Sequence, residues 1–309
     1  MRRIAQPGLN AGQGTRQGAT RRTAMLHLGA LTSGALLFGV APARATGARR
    51  IVSVGGALTE IVFALEAQAE LVGVDTTSLY PANAQKFPSV GYARTLSAEG
   101  VLALAPTHVI ATEDAGPPAV LRQLSAAGVP VAVLAANHQF EGLMERVKRV
   151  GELTGRVAQA TALQQALQKD WGQSRAAVSQ RGAAKPVRVL FVLAHAPNQT
   201  LVSGVGTGAH AMLEYVGATN AVSGFSGYKP LTPEAVIAAQ PDVVLLTDQG
   251  LLAAGGVDGV LKLPGLAQSP AGRNRRVIAL EAMFLLGFGP RLPAAVSVLD
   301  TAIAKVMRS

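Results

Sequence analysis

The chain has 309 residues, a formal net charge of +10 and no cysteine. That length is enough for one large domain or two lobes with substantial cores, and the lack of cysteine excludes both a disulfide framework and a lipidated N-terminal cysteine. Six arginines and no acidic residue fall within the first 45 positions, so most of the basic excess sits there; no basic stripe interleaved with aromatics points to nucleic acid as a partner.

Those arginines, at positions 2, 3, 16, 21, 22 and 44, enclose an apolar run from Ala24 to Val40. This is the pattern of a signal peptide over residues 1–45. The segment Thr20-Arg21-Arg22-Thr23-Ala24-Met25-Leu26 resembles a twin-arginine export signal, with general secretion as the alternative. Ala43-Arg44-Ala45 offers a small-x-small cleavage site, so cleavage is expected near Ala45, a mature chain is expected to start near Thr46, and its compartment is expected to be the bacterial periplasm. A membrane anchor fits less well, because the run is only about 17 residues long and glycines interrupt it.

In the mature part, Arg50 to Val54 reads as a buried strand, Gly55-Gly56 as a turn and Ala57 to Leu65 as a helix with Ile61, Val62 and Leu65 on one face. A strand at Leu71 to Val74 follows, then a helix from Ala98 to Leu104, a strand at His108 to Ala111, a helix from Pro118 to Ala127 and a strand at Val129 to Leu134. From Val157 to Gln180 the composition shifts to Ala, Gln, Lys and Arg, with Leu163, Leu167 and Trp171 in one stripe. The spacing predicts a helix roughly 36 Å long, ended by Gly182 and Pro186. A second series starts with a strand at Val187 to Leu193 and continues through a Gly-rich turn and helix between Gly204 and Val216 and a helix at Pro233 to Ala239. It closes with strands at Val243 to Leu246 and Val277 to Leu280 and a helix from Pro293 to Val306. The expected fold class is therefore α/β: two similar lobes with mainly parallel sheets, 46–154 and 186–309, joined by one long helix within 155–185.

An internal repeat supports the two lobes. Leu96 to Thr112 aligns on Leu231 to Thr247 at an offset of 135, with identities at Leu96/Leu231, Glu99/Glu234, Val101/Val236, Ala103/Ala238, Pro106/Pro241, Val109/Val244 and Thr112/Thr247. Each copy reads as an N-cap (Ser97 or Thr232), a short helix with an acid in its first turn, a Pro turn and a buried strand. Ligand sites favour the crevice between such lobes.

Tyr92 lies in a Gly-flanked loop just before the repeated helix, with Arg94 two residues on. A nearby cation favours the anionic form of a phenol, and a phenolate is a hard oxygen donor suited to ferric iron; a loop tyrosine bonded to backbone is the other role these residues allow. The offset carries Arg94 onto Lys229, beside Tyr228. Two cations, one per lobe, can meet the carboxylates of an amphipathic ligand or simply be solvated. His195 ends the first strand of the second half, where ligands are met in α/β lobes, or is a plain loop residue. His108, His138 and His210 show no zinc-type spacing. Gly204-Val205-Gly206-Thr207-Gly208-Ala209 matches a dinucleotide fingerprint in letters but lacks the acid about 20 residues on; it reads as a turn that serves packing or an anion. No nucleophile elbow, carboxylate pair or cysteine nucleophile supports an enzyme.

Three stretches carry a family resemblance: Val90 to Gly100 (VGYARTLSAEG), Gly227 to Glu234 (GYKPLTPE) and Leu285 to Arg291 (LLGFGPR). Through them the chain, over about residues 48 to 307, resembles the periplasmic haem-binding proteins that deliver haem to ABC importers, within the helix-linked (class III) periplasmic-binding-protein fold that also serves ferric siderophores and cobalamin. The resemblance implies haem b as the transported ligand, with Tyr92 as its axial iron ligand and Arg94 as the phenolate's neighbour. It also implies Lys229 across the ring, His195 as a second iron contact in some members, and Glu99 and Glu234 docking onto the permease. Gly55, Phe225 and Phe288 are expected to wall the site, with Tyr228 as a further haem-binding residue beside Lys229. An ABC permease dimer, an outer-membrane haem receptor system and a monomeric state complete the expectation; a ferric-siderophore or cobalamin carrier is the alternative.

Overall fold

The computed structural model describes residues 49–135, 137–181, 185–196 and 199–308. The signal peptide, the twin-arginine segment and the cleavage site near Ala45 lie outside the described residues, as does the side chain of His195. Thr46–Ser309 forms one compact unit.

The elements follow in chain order: β1 (Ile51–Val54), α1 (Gly56–Ala64), β2 (Leu71–Val74), α2 (Ala98–Leu102), β3 (His108–Thr112), α3 (Pro118–Ala126), β4 (Val131–Leu134) and α4 (Phe140–Thr154). Then come α5 (Val157–Gln180), β5 (Arg188–Ala196), β6 (Gln199–Ser203), α6 (Gly208–Tyr215), β7 (Thr219–Asn220), β8 (Tyr228–Pro230), α7 (Pro233–Ala239) and β9 (Val243–Thr247). The chain closes with α8 (Asp248–Ala253), α9 (Gly256–Leu261), α10 (Pro270–Arg273), β10 (Val277–Leu280), α11 (Ala282–Leu286) and α12 (Leu292–Arg308).

The first sheet has the order β2-β1-β3-β4 and is parallel throughout. Its strands are apolar on both faces because helices cover both. Ile51 and Ile110 point to α1 and α4, whereas Val52, Val54, Val109 and Ala111 point to α2 and α3. This is the period of two that a strand imposes on its side chains.

The second sheet, β10-β9-β5-β6-β8 with β7 beside the start of β5, is mixed. β5, β7, β9 and β10 are parallel, but β6 pairs antiparallel with both β5 and β8. The expectation of mainly parallel sheets thus holds for the first lobe and only in part for the second. The reason is local: only two residues separate β5 from β6, too few for a crossover helix, and strands so closely joined pair antiparallel.

One core runs through both lobes. Val189, Phe191, Val243 and Leu245 of the second sheet share a buried cluster with Ile51 and Ile110 of the first, completed by Leu167 of α5 and by α4, α6 and α12. Along α5, Ala160, Leu167 and Ser174 are buried at seven-residue intervals, and Leu163 and Trp171 pack at their flanks. Trp171 stacks on Phe140 of α4 (4.8 Å between ring centroids, 2° between planes) and meets Tyr215 of α6 edge-on at 4.7 Å. Ser174 donates to the Pro293 carbonyl at 2.9 Å. The long helix is therefore fastened to both lobes along its length, and the single core leaves little freedom at that side of the cleft.

The repeat is structural as well as textual. Ser97 accepts from the Gly100 amide at 3.3 Å and Thr232 from the Ala235 amide at 3.2 Å, so α2 and α7 carry the same cap before equivalent strands β3 and β9.

Candidate functional site

The loop before α2 is stitched to both neighbouring strand ends. The Val90 amide donates to the Val74 carbonyl (2.9 Å) and the Thr76 amide to Gly91 (3.0 Å) on one side; on the other, the Leu96 amide donates to Gly116 (2.8 Å) and the Gly116 amide to Ala93 (2.9 Å). Gly91 makes the turn with φ +90°, a conformation in which a Cβ is costly. Ala93 and Leu96 point inward and are buried, so Tyr92 and Arg94 are turned out of the lobe. A short 3₁₀ turn, Ala93–Thr95, sets their separation.

Tyr92 is 42% exposed. Arg94 Nη1 donates to its hydroxyl at 2.8 Å, and Arg94 Nη2 donates to Asp114 Oδ2 at 2.5 Å. Burial works against the Arg94 charge, but Asp114 and Tyr92 outweigh it and hold the guanidinium above its ordinary value. Burial likewise opposes ionised Asp114, and the Thr112 hydroxyl and Arg94 outweigh it, so the carboxyl sits below the usual range. The sequence reading of Tyr92 beside Arg94 is reproduced as a direct contact. It missed Asp114, which stands 20 residues away and has no local periodicity to betray it.

In the second lobe β8 presents Tyr228 and Lys229, registered against Ser203 and Val202 of β6. The Lys229 ammonium lies 4.9 Å from the Phe225 ring centroid, a cation over an aromatic face. Phe225 packs so closely on Gly204 that a Cβ there would fall 2.2 Å from the Phe225 carbonyl. Burial pushes the Tyr228 phenol upward, and Arg94 of the other lobe acts against that shift. The Arg94 charge is thus felt at the Tyr228 phenol.

Other expected site residues are placed differently. Phe288 is 1% exposed and belongs to the core, its ring 5.2 Å from His138. Gly55 is buried; a Cβ there would lie 2.4 Å from Thr112. Neither offers a surface to the cleft, because the strand-end turn and the chain before α12 fold inward onto the interlobe core. Phe225, by contrast, remains partly exposed, and Tyr228 is exposed. His195 lies near the end of β5, beside the irregular pairing of Ala194 and Ala196 with β6. The Gly204–Ala209 turn serves packing: Thr207 caps α6 through the His210 amide (3.1 Å), and Phe288 and His138 close over Gly208.

Glu99 and Glu234 are exposed in the first turns of α2 and α7, the equivalent positions of the two repeats. Among the described residues, no group of three or more His, Cys, Asp or Glu could hold a metal ion. Two surface recesses of about 390 Å³ lie along α5, one lined by Asp170, Ser174 and Ser297 and the other by Phe140, Met144 and Trp171; Tyr92 and Lys229 line neither.

Two α/β lobes fastened by one helix, with an exposed phenol held by a cation on the first lobe and an exposed cation on the matched loop of the second, are the layout of a two-lobed ligand-binding protein. The family profile described as periplasmic binding protein matches residues 51–283, and the chain belongs to that family. It is 46% identical to the periplasmic heme-binding protein BhuT, solved in complex with two hemes, with a TM-score of 0.81 over 84% of this chain and 100% of that one. It is also 27% identical to YvrC of Bacillus subtilis, an ABC transporter substrate-binding lipoprotein, over 82% of this chain and 80% of the relative. Against the vitamin B12-binding protein of Vibrio cholerae the identity is 26%, over 81% and 87%.

Proposed function

We propose that this protein is a periplasmic haem carrier that takes ferric haem between its lobes and hands it to an ABC permease for iron uptake. The observation that carries this reading is the exposed Tyr92, its hydroxyl bonded to Arg94, whose charge reaches Tyr228 of the other lobe. The 46% identity to a heme-binding relative supports it over the cobalamin or siderophore alternative, whose vitamin B12-binding relative reaches 26%.

In this reading the lobes are 46–154 and 186–309, with the linker in 155–185. Tyr92 supplies the axial oxygen to iron, and Arg94 steadies the phenolate charge as it forms. Lys229 meets a propionate, Phe225 and Tyr228 cover ring area, and His195 stands at a strand end as an opposing contact. Gly55 and Phe288 shape this wall from behind. The protein carries its ligand unchanged, acts as a monomer after signal-peptide cleavage near Ala45, and receives haem from an outer-membrane uptake system.

Titration of the chain from Thr46 onward with hemin tests the assignment. Tyr92→Ala is expected to weaken binding on the order of 100-fold, the upper range for losing a group that tunes a metal, and to abolish the phenolate-to-iron charge-transfer band. An unchanged spectrum and affinity would leave a siderophore or cobalamin carrier as the better reading. For transfer, Glu99→Ala combined with Glu234→Ala should eliminate stimulation of the importer's ATPase while haem affinity stays within about twofold, since exposed substitutions rarely disturb the fold. Loss of haem binding in that double variant would show that these acids belong to the cleft.

A further inference from the structure

Arg94 has a planar guanidinium, so fixing one of its nitrogens fixes the direction of the others. Here the two terminal nitrogens are divided between two oxygens: Nη1 faces the Tyr92 hydroxyl at 2.8 Å and Nη2 faces Asp114 Oδ2 at 2.5 Å. The Arg94 side chain is 60% exposed and that of Asp114 is 47% exposed. A long side chain this open loses appreciable rotamer entropy when held in one geometry, and a lone bond to a neutral phenol would hold it weakly. A charge-assisted bond to a carboxylate is roughly twice as strong.

Asp114 is itself well placed to act as the fixed end. It lies in the loop after β3, where the Ala115 amide donates to Thr112 (3.0 Å) and Gly116 is bonded in both directions to the Tyr92 loop. The Thr112 hydroxyl also favours the ionised carboxylate. The anchor and the phenol thus belong to two loops already tied together by backbone bonds, which fixes the distance that Arg94 must span.

The second lobe supplies the control. At the offset of 135, Arg94 corresponds to Lys229 and Asp114 to the neutral Gln249. Among the described residues Lys229 takes part in no ion pair, and its ammonium rests over Phe225. The cation is anchored only in the lobe where a phenol stands two residues before it. A solvated cation that merely adds positive charge to a cleft needs no anchor; one that must aim a donor at one oxygen does.

We propose that Asp114 is a positioning residue for ligand capture, holding Arg94 so that its Nη1 donor stays directed at the Tyr92 hydroxyl. This rests on the reading of Tyr92 as the iron ligand. Haem titrations and ferric absorption spectra of Tyr92→Phe, Arg94→Ala, Asp114→Ala, Asp114→Asn and the Arg94→Ala/Asp114→Ala double variant test it, with urea unfolding midpoints as a check on the fold. Asp114→Ala is expected to move the charge-transfer band as Arg94→Ala does and to weaken binding about tenfold. Asp114→Asn keeps an acceptor oxygen in place and should recover most of the wild-type spectrum. The double variant should bind no more weakly than Arg94→Ala alone, because the aspartate acts only through the arginine. A silent Asp114→Ala, or losses that add in the double variant, would overturn the proposal. If Tyr92→Phe leaves the spectrum unchanged, the reading of Tyr92 is what fails; if Tyr92→Phe changes it and Asp114→Ala does not, only the anchoring role falls.

Discussion

Glu60→Ala is expected to lower the free energy of unfolding by about 1.5–3 kcal/mol, the range for hydrogen bonds to a charged group, because Arg291 keeps Glu281 as a partner. Glu60 sits in α1 of the first lobe with its side chain 4% exposed, and Arg291 reaches it from the chain just before α12. The pair is bidentate: Arg291 Nε donates to Oε2 at 2.9 Å and Nη2 to Oε1 at 2.5 Å. The same guanidinium donates to Glu281 at 3.1 Å, lies 4.1 Å from the Tyr80 ring centroid and 5.3 Å from that of Phe284. Tyr80 comes from the first lobe, Phe284 and Glu281 from the second. Arg291 thus ties the two lobes through partners 231 residues apart in sequence.

The double variant Glu60→Ala/Arg291→Ala should lose less than the sum of the two single changes, because the two side chains act through one shared contact. Urea denaturation of the three variants measures this directly. A loss below about 1 kcal/mol for Glu60→Ala would mean that the site relaxes and admits water, as exposed pairs do. Glu281→Ala is a different case. Its carboxylate also accepts from the Met283 and Phe284 amides at 2.6 and 2.8 Å, capping α11, so its cost should follow the cap, about 0.5–2 kcal/mol.

These ties explain what could and could not be read from the chain alone. The linking helix was legible from Val157 to Gln180 because composition, stripe and the Gly182 and Pro186 stop all agree. The equivalence of Glu99 and Glu234 was legible because the repeat preserves cap, acid and strand together. By contrast α4 was not anticipated, although Phe140, Leu143, Val147 and Val150 form a buried face; its dense charges and the long helix beside it masked the period. β6 and β8 are five and three residues long, and strands so short are defined by pairing rather than by pattern. Asp114 and Glu60 escaped for the same reason. Each acquires its meaning from an arginine that only the fold brings near, and an isolated carboxylate in a sequence carries no sign of its partner.

Phe288 shows this limit most clearly, and its removal is the second large effect expected. The sequence stretch around it, Leu285 to Arg291, suggested a wall of the cleft, yet the ring is buried among residues of both lobes. It lies 5.2 Å from His138 of the first lobe and 6.4 Å from Tyr215 of the second, and its carbonyl accepts from Arg146 Nη2 at 2.5 Å. Arg146 is 2% exposed, burial pushes its guanidinium down to about 10, and Phe288 is the hydrogen-bond partner that meets it from the other lobe. Phe288→Ala should therefore cost about 3–5 kcal/mol, as buried phenylalanine truncations do, while haem affinity of the folded protein changes less than about threefold. A cleft wall would give the reverse, with affinity falling and stability nearly kept. Backbone conformation adds a second, independent ordering. Phe288 has φ +53°, a left-handed geometry that costs a side-chain-bearing residue about 1 kcal/mol and glycine almost nothing. Phe288→Gly is then expected to be more stable than Phe288→Ala even though it removes one more carbon from the core, and urea midpoints for the two variants decide it. If alanine proves the more stable, the left-handed turn has relaxed and Phe288 is held by its ring alone; the order expected here requires that the interlobe core hold both the ring's place and the strained backbone that delivers Arg291 to Glu60 three residues later.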